Sequence, residues 1–266
     1  MDNTKTLLQP ARRAIRRARN DIRMWRLNRE ARLFLDPDAF IGARIIIIAP
    51  GETVDCDMRS VDLTEYDYVV RMNRLTNATG TPPGSGDRAR TDILFHNLAF
   101  GGERGAELLE SDALARQRTS LIVFPHASED FVSRKVLSEI RTQRRRLGLA
   151  VEMPPFNFYS RLRHDLEGVR PTTGLVATTF FLSCPVDHLM LAGFTFFRTA
   201  YKTGYNDSIR TEADARRWAV SGGRHDPERE RRLLRNRIAN LRSKGRNVSL
   251  GPNVERHLYS EHLYSR

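Results

Sequence analysis

Residues 45–48 are four consecutive isoleucines, and the run closes on Ala49, Pro50 and Gly51. A short β-branched stretch without polar alternation, ended by a turn pair, suits a strand buried on both faces of a parallel sheet. Such a sheet has to be covered by helices on both sides, so the rest of the chain should alternate strand and helix. Tyr68–Asn73, Asp92–His96, Leu121–Phe124 and His188–Phe194 read as further strands. Helical stretches lie near Glu103–Arg116, Phe131–Arg146 and Thr173–Ser183. Helices near Thr211–Val220 and Pro227–Leu241 would cover one side, and Val248–Leu250 would add a last strand. The expectation is an α/β fold with a single Rossmann-like, doubly wound, mostly parallel sheet. No repeat or linker splits residues 42–266, which read as one domain behind an arm of residues 1–41.

Composition narrows the class. The chain has 266 residues, 40% hydrophobic and 29% charged, which is ample for a packed core. Its apolar runs fall far short of the roughly 20 residues a membrane span needs, and the N-terminus has no apolar signal-peptide core. Cys56 and Cys184 cannot build a disulfide framework, so a reducing, cytoplasmic setting is expected. The net charge of +12 is concentrated at one end: residues 1–35 hold Lys5 and nine arginines against Asp2, Asp21 and Glu30. Within them Ala11, Ala14, Ile15, Ala18, Ile22 and Trp25 recur at helical spacing. Two readings stay open. The segment is either an amphipathic helix lying on anionic lipid at the inner membrane face, or a surface helix docked on the body or a second subunit. Specific nucleic-acid binding is not expected.

In an open α/β sheet the ligand lies beyond the carboxyl ends of the strands. The residues to weigh are therefore Pro50, Gly51, Glu52 and Thr53, Asn73, His96 and Asn97, Pro125 and His126, and Thr195. A Walker A loop, HExxH, CxxC and GxSxG are all missing from the sequence, which removes the usual anchors of P-loop, zinc and serine-hydrolase chemistry. Gly84–Ala89 spells GxGxxA but precedes a strand instead of following one, and reads as a turn. Asp55-Cys56-Asp57 spells DxD, a short pattern that is weighed as a metal site and not adopted. No metal is expected.

Pro171-Thr172-Thr173-Gly174 opens a helix with hydroxyls and a glycine, either as a plain N-cap or as a seat for an anion at the positive helix end. Asn73 and Asn97 follow strands and carry both donor and acceptor, suited to loop capping or to a ligand's polar edge. His225 precedes Asp226-Pro227, which reads as N-cap and first helical residue. Its neighbours pull its pKa in opposite directions, and a near-neutral value suits a general base.

Two stretches carry a family likeness. One is RIIIIAPGET…YDYVVRMNRLTNATG…GDRARTDILFHN, residues 44–97. The other is RPTTGLVATTFFLSCPVDHLMLAGFTFF, residues 170–197, followed by Gly223-Arg224-His225-Asp226-Pro227-Glu228-Arg229-Glu230. In this order they resemble the large, small and very small motifs of the sialyltransferases, glycosyltransferase family 29, over roughly residues 42–235. The resemblance implies a soluble, bacterial-type member with a GT-A-like variant of the Rossmann sheet. It would be an inverting, metal-independent glycosyltransferase that moves sialic acid from its CMP ester to a glycan hydroxyl, with no cofactor beyond that donor. It also implies His225 and Glu230 as catalytic residues. Gly51, Glu52, Thr53, Asn73, Asn97, Thr172, Thr173, Gly174, Tyr201 and Tyr205 would bind the donor. The family's usual partner cysteine for Cys184 falls near Arg44, so that disulfide is not expected. A CMP-Kdo-dependent transferase on the same scaffold and a non-catalytic nucleotide- or anion-binding module remain as alternatives.

Overall fold

The computed structural model describes residues 32–74, 89–98, 108–127, 134–221 and 225–260. The chain divides into two units, Met1–Leu35 and Asp36–Arg266. The helix expected over residues 11–25 and most of the Gly- and Pro-rich loop 77–90 lie outside the described residues.

Seven strands form one sheet: β1 Arg44–Ile48, β2 Tyr68–Met72, β3 Ile93–Phe95, β4 Leu121–Val123, β5 Ala150–Glu152, β6 His188–Ala192 and β7 Asn247–Leu250. Their order is β5-β4-β3-β2-β1-β6-β7, and every adjacent pair is parallel. The described helices are α1 Val54–Asp57, α2 Ser111–Arg116, α3 Arg134–Leu147, α4 Phe156–Asp165, α5 Thr173–Ser183, α6 Glu212–Val220, α7 Pro227–Ser243 and α8 Pro252–Tyr259. The chain steps outward from β1 to β5, then returns to place β6 on the other flank of β1. Crossovers between parallel strands are right-handed, so reversing the direction of travel puts helices on both faces of the sheet. It also leaves a crevice where the strand order switches, between the carboxyl ends of β1 and β6.

Burial explains why these segments become these elements. Ile45, Ile46 and Ile47 are fully inaccessible, as are Val69, Val70 and Leu94 on the neighbouring strands. Ile46 and Ile48 pack with Val54, Leu63, Tyr66 and Val69 on one face. Helix α5 is buried from Leu175 to Leu182, apolar on nearly every side, as a helix walled in by sheet and helices must be. Phe180 and Phe181 meet edge-on at 5.3 Å, and Phe40 packs edge-on against Phe181 at 5.1 Å. That contact ties the short 3-10 turn Pro37–Phe40 to the body.

The expected strands appear within two residues of their predicted ends, and α5 matches its predicted span. Strand β5 and helices α1, α4 and α8 lie outside the elements expected from the sequence. Both cysteines are free, Cys56 exposed and Cys184 buried. The Cys184 thiol donates to the Phe180 carbonyl at 3.3 Å, and burial pushes its pKa up to about 12.

Candidate active site

The crevice at the switch point holds a cavity of about 360 Å³. Ala49, Pro50 and Gly51 reach it from β1, Met72 and Asn73 from β2, and Asn97 from β3; His126 comes from β4, and Gly193, Phe194 and Thr195 from β6. The start of α5 (Thr172, Thr173, Gly174), the loop bearing Tyr201 and Tyr205, and the α7 side bearing His225 and Glu230 close it. Of the twelve residues expected from sequence, ten line this cavity. Glu52 and Thr53 do not: Glu52 is exposed and contributes its backbone N–H to the Ala200 carbonyl at 3.1 Å, and the half-buried Thr53 is the N-cap residue of α1.

The floor is set by two glycines. Gly51 N–H donates to the Gly193 carbonyl at 3.0 Å, and a Cβ on Gly51 would collide with that same carbonyl and lie 2.6 Å from Thr195 Cγ2. Gly193 adopts φ +72°. Its N–H donates to Asp57 Oδ2 at 2.9 Å, while Asp57 Oδ1 accepts from the Asn253 backbone and side chain at 2.8 and 3.1 Å. Asp57 thus spends both oxygens on holding β6 to α8, and Asp55 pairs with Lys202 Nζ at 2.6 Å. The two carboxylates of DxD serve structure on opposite sides of α1. Among the described residues no cluster of three or more His, Cys, Asp or Glu could hold a metal ion.

Asn73 takes φ +62°, a conformation asparagine tolerates better than most residues. Its N–H donates to the Phe95 carbonyl at 2.7 Å, which fixes the side chain at the end of β2. Asn73 Oδ1 is buried with no protein partner among the described residues. Asn97 Oδ1 accepts from Thr173 Oγ1 at 3.4 Å, joining the end of β3 to the start of α5. A Cβ on Gly174 would sit 3.2 Å from the Phe194 ring and 3.3 Å from Met72 Sδ, so any side chain there would have to push those neighbours back by a few tenths of an ångström.

Asp226 caps α7 by accepting from the Arg229 N–H at 3.0 Å, and Pro227 occupies the first turn, as its sequence suggested. Glu230 is almost fully buried. Its Oε1 accepts the Thr172 N–H at 2.8 Å and its Oε2 the Thr172 hydroxyl at 2.6 Å. Burial outweighs these bonds and raises the Glu230 pKa to about 8. Thr172 also caps α5 by accepting from the Leu175 N–H at 3.2 Å. The donors of Thr172 are therefore engaged by Glu230, which leaves the first-turn N–H groups of Thr173 and Gly174 to meet an anion.

His225 Nδ1 lies 2.8 Å from the Arg170 carbonyl oxygen and 4.0 Å from Glu230 Oε1. A carbonyl only accepts, so the neutral ring carries its proton on Nδ1 and Nε2 is its basic nitrogen. Two polar residues were not assigned from the sequence. Arg170 is the one Lys or Arg side chain lining the cavity among the described residues. His126 is buried, with Nδ1 3.2 Å from Tyr159 Oη. Burial, reinforced by the charge of Arg170, drives the His126 pKa well below 6.5. His126 follows β4, so the strand-end rule pointed at it; nothing local marked Arg170.

Tyr201 forms an antiparallel bridge with Gly51, and its ring lies 5.0 Å from that of Tyr205. Burial raises the Tyr201 pKa well above 10, so the phenol stays neutral.

No protein-family model matches the chain. No curated protein matches it either. A mammalian sialyltransferase in complex with Gal-beta-1-3GalNAc-ortho-nitrophenol is 16% identical, covers 79% of this chain and 69% of its own, and superposes with a TM-score of 0.44. The sialyltransferase CstII from Campylobacter jejuni, in complex with the substrate analogue CMP-3FNeuAc, is 13% identical, covers 82% of this chain and 85% of its own, and gives 0.47. At these identities the likeness is one of fold, and the chemistry is read from the site's own residues.

Proposed function

We propose that the protein is an inverting glycosyltransferase that uses a CMP-activated acid sugar, sialic acid in the first instance, and a saccharide hydroxyl as acceptor. The observation that carries this reading is the His225–Arg170 contact. It sets a basic Nε2 in the same cavity as the Arg170 side chain and a helix N-terminus. A CMP-sugar acid brings two anions, phosphate and carboxylate, and Arg170 with the first turn of α5 offers both charge and N–H donors. The buried Asn73 Oδ1 would accept from a hydroxyl or amine of the nucleotide, and Asn97 would supply the neighbouring contact.

In the reaction the acceptor oxygen attacks the anomeric carbon as the bond from that carbon to the phosphate oxygen breaks. The acceptor proton passes to His225 Nε2, and CMP departs with the bonding electron pair. Attack opposite the leaving group inverts the anomeric centre. Arg170, the α5 N-terminus and the Tyr201 and Tyr205 hydroxyls stabilise the departing phosphate, which makes a metal unnecessary. Glu230 is a positioning residue: it clamps Thr172 and so fixes the start of α5.

Release of CMP from a panel that includes CMP-sialic acid and CMP-Kdo is the test. His225→Ala should lower turnover by about 10²–10⁴-fold and leave CMP affinity nearly unchanged. Asn97→Ala should weaken CMP binding first. Equal loss of CMP binding in both variants would make His225 a phosphate ligand. Activity should also survive EDTA, and restoration by Mn²⁺ after its loss would overturn the metal-free reading.

A further inference from the structure

The proposed reaction uses the Tyr201 hydroxyl but leaves the aromatic rings on that wall of the cavity without a task. Phe197, Tyr201 and Trp218 line it together. The Trp218 indole meets the Tyr201 ring edge-on at 87° and 6.1 Å, and tilts against Phe197 at 33° and 6.0 Å. Two rings support the indole, yet Trp218 remains half-buried and open to the cavity. Along α6 the neighbouring Ala215 and Ala219 are packed inward, so the helix is anchored by its small residues and not by its largest one.

We infer that Trp218 is the platform on which a neutral hexose unit of the acceptor stacks. This rests on the glycosyltransferase reading above. Three observations direct it to the acceptor and not to the nucleotide. Trp218 and His225 come from one short stretch of chain, and the base must reach the acceptor hydroxyl. The polar strand ends Asn73 and Asn97 belong to β2 and β3, elsewhere on the cavity wall. From Phe194 to Ser221, no described residue lining the cavity carries a charge, which suits a neutral ring. An aromatic face is electron-rich and attracts the slightly positive C–H bonds of a sugar. Galactose offers such a patch, because its C3, C4 and C5 hydrogens lie on one face.

The chain has two tryptophans, Trp25 and Trp218, so a Trp25→Phe protein reports on Trp218 alone by its emission. Lactose is the probe, titrated into the tens of millimolar with and without CMP, while CMP affinity is measured separately by calorimetry. A saturable change in Trp218 emission with lactose supports the platform, even where CMP fails to bind and the donor reading falls. An emission unchanged by lactose, with CMP and without, overturns it. In turnover assays Trp218→Leu should raise the acceptor KM about three- to tenfold with CMP affinity and donor hydrolysis unchanged, and Trp218→Phe should recover part of the loss. A loss of CMP affinity equal to the rise in acceptor KM would place the nucleobase on Trp218 and overturn the inference. Should Trp218→Leu fail to fold, the lactose titration of the Trp25→Phe protein still decides.

Discussion

Glu230 shows how a single buried group sets a pH dependence. Its carboxyl titrates near 8 in the fold against 4.5 in an unfolded chain. Folding therefore favours the protonated form. The stabilisation is fully present below pH 4.5 and is lost progressively as pH rises through about 8, a span worth roughly 5 kcal/mol at most. Glu230→Gln keeps an oxygen for the Thr172 N–H and an amide for its hydroxyl, without a charge to bury. Melting curves between pH 5 and 8.5 should show the Gln variant gaining on the parent as pH rises, and parallel curves would remove the desolvation argument. The same residue marks the limit of what local sequence discloses. His225, Asn73 and Asn97 were legible because each sits at a strand end or a helix start. That Glu230 would reach 58 positions back to Thr172, and that the Arg170 carbonyl would orient His225, are tertiary facts. No spacing rule encodes them.

At the scale of elements, the site depends on how closely β1 and β6 run together as they end. Asp57 is the latch, with three N–H donors from Gly193 and Asn253 on one buried carboxylate. Asp57→Asn turns one acceptor into a donor facing an N–H and should cost about 2–3 kcal/mol. Asp55→Asn loses an exposed ion pair with Lys202 and a through-space attraction to the buried Arg71, and should cost less than Asp57→Asn. Chemical denaturation of both variants checks this, and equal effects would restore a shared role for the two aspartates. Gly193→Ala should be worse, by about 3 kcal/mol or more, since a Cβ would strike the Ala49 carbonyl and crowd Val54 at a positive φ. The elements themselves were readable where periodicity was strong. The isoleucine run and the apolar stretch of α5 announced themselves. Strand β5 did not: it is three residues at the sheet edge, with Ala150 exposed and Glu152 half-exposed, so it lacks the buried apolar run of a central strand. Helix α8 begins at Gly251-Pro252, which reads as a turn until the Asp57 contact pins it.

Over the whole molecule the excess of positive charge separates into two uses. In the body, arginines are largely consumed by the fold. Arg90 donates to the Leu63, Tyr66 and Asp67 carbonyls and pairs with Asp92 at 2.9 Å. Arg198 and Arg231 converge on Glu228 at 3.1 and 2.9 Å, tying the loop after β6 to the start of α7. Arg242 pairs with Glu255, and Arg229 with Glu167. Cations spent in this way are poor ligands for a polyanion, because recruiting them would break the internal bonds. The first 31 residues differ in composition, with nine Lys and Arg side chains against three carboxylates and apolar residues at helical spacing. Deleting residues 1–31 should therefore leave CMP binding and the melting temperature of the body unchanged. It should abolish association with vesicles containing phosphatidylserine, because each basic residue near such a surface contributes roughly 1 kcal/mol. Added salt should weaken binding of the full chain in the same assay, since screening acts on exposed charges first. Vesicle binding that survives the deletion would move the lipid contact to the body, where it would have to compete with the arginine pairs that hold the site together.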